Sequence, residues 1–95
     1  ESFDWPIVEV AAALSLTEEG RVNHIRVVLG GVAMLPWRAT LSEVELQGNL
    51  LNEELCRKAA RQAAHGATPL RDNQYKTHVI EGTVRRVLSA LIPQE

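Results

Sequence analysis

Arg21–Ala39, RVNHIRVVLGGVAMLPWRA, is the stretch on which the fold turns. It begins as a strand, because Ile25, Val27 and Leu29 fall on one face at a spacing of two and β-branched residues are dense. Two glycines, Gly30 and Gly31, then interrupt an apolar run. Such a pair is poor for a plain strand and suggests a bulge, a bend or the close approach of another backbone. Extended character returns from Val32 to Leu35, and Pro36 and Trp37 are expected to stop it, since Pro36 has no N–H for a ladder.

Upstream, IVEVAAALSL alternates. Val8, Val10, Ala12, Leu14 and Leu16 share an apolar face; Ile7, Glu9, Ala11, Ala13 and Ser15 share a second face of mostly small residues, open to a further layer. Thr17-Glu18-Glu19-Gly20 reads as a turn with Gly20 at positive φ, so the first two strands form a β-hairpin.

Downstream the period changes. Thr40-Leu41-Ser42-Glu43 matches a capping box, with a short helix expected from Leu41 to Gln47 and a stop at Gly48. Asn52 followed by Glu53 and Glu54 starts a second helix, whose stripe of Leu55, Cys56, Ala59, Ala60, Ala63 and Ala64 implies a close floor and whose end falls at Gly66. A loop over 67–73 precedes a third helix expected over 74–92. Its buried stripe is Ile80, Val84, Val87, Leu88 and Leu91, with Tyr75 and Val79 at the border and Arg85 and Arg86 outward. Gly82 sits inside it, at about 1 kcal/mol relative to alanine, which close packing would explain. Pro93 ends it. Three strands and then three helices make an α+β domain, a small antiparallel sheet with helices on one face, exposed edges and an open second face.

The 95 residues are 45% hydrophobic and 23% charged with a formal net charge of −2, which suits one domain over 1–95 and argues against a nucleic-acid or anionic-membrane surface. No apolar run is long enough to span a membrane, and no signal-peptide pattern is present. The single cysteine, Cys56, excludes an internal disulfide and fits a reducing compartment. The chain opens on Glu1 and its one methionine is the internal Met34, so a fragment of a longer polypeptide is expected.

No catalytic or metal constellation emerges. Glu43, Glu45, Glu53 and Glu54 read as a solvated helix face and capping acids rather than a carboxylate pair. His24, His65 and His78 lack metal spacing, and Cys56 reads as a small core residue rather than a nucleophile. Gly30-Gly31 is not a phosphate loop, having neither the spacing nor a following helix start. Arg71, Asp72, Asn73, Tyr75 and Lys76 crowd a helix N-terminus, where capping and local pairing compete with an interdomain or ligand contact.

Two segments, LGGVAMLPWRAT and ATPLRDNQYKTHVIEGTVRRVL, together with the lead-in Phe3-Asp4-Trp5-Pro6, resemble the C-terminal domain of the FAD-binding (medium) subunit of molybdenum hydroxylases of the carbon monoxide dehydrogenase, xanthine dehydrogenase and aldehyde oxidase type. ATPLRDNQYK is most similar to the bacterial aldehyde-oxidase branch. The resemblance implies an α+β fold and a parent oxidoreductase in which electrons pass from molybdenum through iron–sulfur clusters to FAD. It implies that FAD is held by glycine-rich segments preceding this domain, so that the 95 residues bind no cofactor and catalyse nothing alone. Implied partners are the FAD domain of the same subunit and the molybdopterin and iron–sulfur subunits. The implied location is cytoplasmic, with the periplasm as alternative. Gly30, Gly31, Pro36, Trp37, Arg71, Asp72, Tyr75 and Lys76 carry over as signature positions for fold and domain packing, with an FAD-side role left open for a few of them and FAD contact residues unassigned. The competing reading is a stand-alone interaction or anion-binding module that dimerises through open sheet edges.

Overall fold

A computed structural model describes residues 8–31, 34–67 and 75–93. Strands β1 (Val8–Leu16), β2 (Val22–Gly31) and β3 (Met34–Arg38) form an antiparallel sheet in the order β1-β2-β3. Helices α1 (Thr40–Leu46), α2 (Glu53–Ala67) and α3 (Tyr75–Ser89) follow. The α+β reading stands, as does the hairpin, whose turn places Gly20 at φ 90°. β1 and β2 pair from Val8–Gly31 to Ser15–His24, and one extra residue on β2, Asn23, makes a bulge before Leu16 meets Val22.

The third strand differs from expectation. It includes Pro36 and Trp37 instead of ending before them, while Val32 and Ala33 lie outside the described residues. β3 is an edge strand, where a missing N–H is tolerated. Leu29 pairs with Trp37 and Gly31 with Met34, so Leu35 and Pro36 together face Gly30. A bulge is present, but its extra residue belongs to β3. A Cβ on Gly30 would meet nothing within 4 Å, so no backbone among the described residues crowds that position.

The helices cover one face. α3 lies over β1, α1 lies against β2, and α2 packs between α1 and α3. The alanine stripe is buried as expected, yet its close neighbours are these two helices rather than the sheet floor. Val27 and Leu29 from β2, Leu46 from α1, Leu55 and Cys56 from α2, and Ile80, Val84 and Leu88 from α3 meet in one core. Full burial of such a side chain stabilises the fold by about 1.5–3 kcal/mol.

Helix boundaries follow tertiary contacts more than local signals. Asn52 caps α2 as expected, its Oδ1 accepting the Leu55 N–H at 2.8 Å. Gly48 follows α1 at φ 79°. Gly66 does not end α2, which continues to Ala67; a Cβ there would lie 3.2 Å from Trp37 Cη2 and 3.3 Å from Leu41 Cδ1. A side chain at 66 would therefore have to push the Trp37 ring and Leu41 back by a few tenths of an ångström. Gly82 has the opposite surroundings, with nothing within 4 Å of a built Cβ, so close packing does not explain it. α3 ends at Ser89, and the Leu91 N–H to Leu88 and Ile92 N–H to Ser89 bonds tighten the last turn ahead of Pro93.

Candidate functional site

The capping box does not form. α1 begins at Thr40, which makes Ala39 the N-cap, and no side chain caps it. The Ala39 carbonyl accepts the Glu43 N–H, and the Ala39 N–H donates to the Val27 carbonyl, extending the β2–β3 ladder by one bond. Val27 then lacks an acceptor for its own N–H. Glu43 supplies one, Oε2 accepting that N–H at 2.8 Å. Arg38 Nε donates to both carboxylate oxygens, at 3.0 and 2.9 Å. Glu43 is thus 7% exposed and fastens α1 to the sheet; it is not a solvated acid. Its hydrogen bond and charge raise Arg38 above the ordinary guanidinium value.

The stitching continues past Glu43. Gln47 Nε2 donates to the Asn23 carbonyl at 2.6 Å, which satisfies the bulge. The Gly48 N–H donates to the Val22 carbonyl and the Val22 N–H to Asn49. Where β3 is absent, α1 and the segment after it therefore serve much of the β2 edge. The Ser42 hydroxyl, fully buried beside Glu43, has no hydrogen-bond partner among the described residues.

The other candidates disperse. Cys56 is fully buried. Burial first, and the Glu53 charge second, push its thiol above the ordinary 9.0, against a smaller opposing effect of Ser89 and Arg85. That is the reverse of what a nucleophile needs. His24 is exposed, its Nδ1 3.2 Å from Ser15 Oγ, and no described group of His, Cys, Asp or Glu side chains is arranged to hold a metal. Among the signature positions, Gly30 lies on β2, Pro36 is exposed on β3, and Trp37 is half-buried against Gly66. Gly31 closes β2, and Tyr75 and Lys76 open α3. Arg71, Asp72 and Asn73 lie outside the described residues. Trp37 precedes Arg38 of the Arg38–Glu43 pair, and no catalytic set is gathered among the described residues.

A flavin pyrophosphate needs closely spaced backbone N–H groups, as at a glycine-rich turn opening a helix. The described glycines with positive φ, Gly20 and Gly48, lie in a hairpin turn and behind a helix end. Neither opens a helix, so neither forms a glycine-rich, helix-opening turn of the kind that grips a flavin pyrophosphate.

The family model for the CO dehydrogenase flavoprotein C-terminal domain matches residues 1–91. The chain belongs to this family. Among solved structures, carbon monoxide dehydrogenase from Hydrogenophaga pseudoflava, in a form lacking the Mo-pyranopterin moiety of its molybdenum cofactor, is 30% identical with a TM-score of 0.60. That match covers 83% of this chain and 29% of the other. Quinoline 2-oxidoreductase from Pseudomonas putida 86 is 24% identical with a TM-score of 0.71, over 85% of this chain and 30% of its own, which shows a shared fold. No curated protein matches the chain. The CO dehydrogenase flavoprotein C-terminal domain thus corresponds to about 30% of the length of these solved chains.

Proposed function

We propose that these residues form the non-catalytic C-terminal domain of the FAD-binding subunit of a molybdenum-dependent oxidoreductase. The observation that carries this is the family match over 1–91. Similarity to carbon monoxide dehydrogenase supports it. In this reading the parent subunit receives electrons from molybdenum by way of iron–sulfur centres. Its FAD is held by glycine-rich segments outside these residues. The domain packs on the FAD domain and on partner subunits, and Gly30, Gly31, Pro36, Trp37, Arg71, Asp72, Tyr75 and Lys76 serve fold and packing.

The chemistry assigned to this chain is therefore to hold its shape. Flavin supplies the electron transfer, and no residue described here donates or accepts a proton in it. The test is the visible spectrum and metal content of the complex purified through the full polypeptide that carries these residues. Flavin bands with copurifying molybdenum and iron are expected. A full polypeptide without flavin overturns the reading. Saturable FAD binding by residues 1–95 alone would overturn the assignment of the flavin grip to other segments.

A further inference from the structure

The sheet face turned away from the helices has a basic end. Arg26 stands directly opposite Ala13, and Arg38 opposite Val28, in the strand register. Arg26 and Val28 share the outer face, so Arg26 and Arg38 are diagonal neighbours, roughly 7–8 Å apart at the backbone. Both line one open groove of about 730 Å³ with Ala13, His24, Ile25 and Gln47, and none of its lining residues is acidic.

Three features make this groove a receiver for negative charge. Arg26 has no ion pair or side-chain hydrogen bond among the described residues, and Ala13 across from it offers only a methyl group. Arg38 spends only its Nε on Glu43, and its two terminal nitrogens have no hydrogen-bond partner among the described residues. Strand alternation turns the Ile25 N–H to the same edge as the Val27 N–H. That stretch of edge lies between the Glu43 and Gln47 bonds, and no described backbone or side-chain group from α1 bonds to Ile25. Two arginines and an open backbone N–H around one hollow match the bidentate geometry of a carboxylate or phosphate. In a chain of net charge −2 this local excess is not a consequence of overall composition.

We propose that the groove between Arg26 and Arg38 is a binding site for an oxyanion, a carboxylate or phosphate group. The inference stands on this chain's own residues and does not depend on the family reading. The test is isothermal titration of the full polypeptide with inorganic pyrophosphate and, separately, citrate, at constant ionic strength held with sodium chloride. Saturable one-to-one binding of either is expected, and the stronger of the two identifies phosphate or carboxylate as the natural group. Arg26→Gln replaces a side chain that has no partner among the described residues, so folding is retained, which circular dichroism checks. It should weaken binding on the order of tenfold, the scale of one charged hydrogen bond. Arg26→Lys should restore part of it. Absence of saturable binding, or equal affinity in Arg26→Gln, overturns the proposal.

Discussion

Glu43 does work at the residue scale that its sequence neighbours do not disclose. A buried carboxylate is tolerable only with its oxygens occupied, and Val27 and Arg38 occupy them. Glu43→Ala leaves the Val27 N–H without its acceptor and should lower stability by about 2–3 kcal/mol in denaturant unfolding. Glu43→Gln keeps an acceptor and should lose less. Next to it, the Ser42 hydroxyl is buried without a partner, so Ser42→Ala should stabilise, by about 1 kcal/mol, in the same assay. The Cys56 thiol gives a pH dependence of known sign. Its folded value lies above the ordinary 9.0, so the folded state keeps its proton when the unfolded state has lost it. The contribution is complete below that ordinary value and falls away as pH rises from 9.0 toward the raised folded value, by at most about 1.4 kcal/mol per pH unit. Unfolding midpoints at successive pH values above 9.0 should decline, and Cys56→Ala should flatten the decline.

At the scale of elements, two helical glycines separate local propensity from packing. Gly82 has open space around it, so Gly82→Ala should raise stability by about 1 kcal/mol and the thermal midpoint by roughly 4–8 °C. Gly66→Ala gains the same propensity but brings a methyl to 3.2 Å from the Trp37 ring, so calorimetry should show much less gain, and Gly66→Val a loss. This contrast also marks what the chain discloses unaided. Alternation in β1, the Gly20 turn, the Asn52 cap and the stripe of α3 are local features, and each was legible. Pro36 inside β3, Gly66 inside α2 and the buried Glu43 depend on which elements meet: an edge position, a facing indole, a strand end needing an acceptor. Spacing along the chain contains none of those. The Arg26–Arg38 groove was not legible either, because the two residues are brought together only by the pairing of β2 with β3.

For the whole molecule, α1 is the joint between layers. It bonds to the β2 edge through Glu43 and Gln47 and packs on α2, and Trp37 of β3 touches Gly66 of α2. Sheet and helices should therefore melt together. In a Trp5→Phe background, Trp37 fluorescence and far-ultraviolet ellipticity should give one coincident transition; two midpoints would mean that the layers come apart separately. The carboxylate on Val27 has a further effect, on fidelity. A strand's N–H groups alternate between its two edges, so a slip of β2 by a single residue would turn the needed N–H toward β1 and present Glu43 with none. The slipped arrangement would then leave the buried carboxylate with Arg38 but one donor short, at a cost of about 1–3 kcal/mol. An alanine-rich β1 offers little side-chain discrimination between neighbouring alignments, so α1 acts as a proofreader of strand alignment, rejecting a misthreaded hairpin when the helix docks.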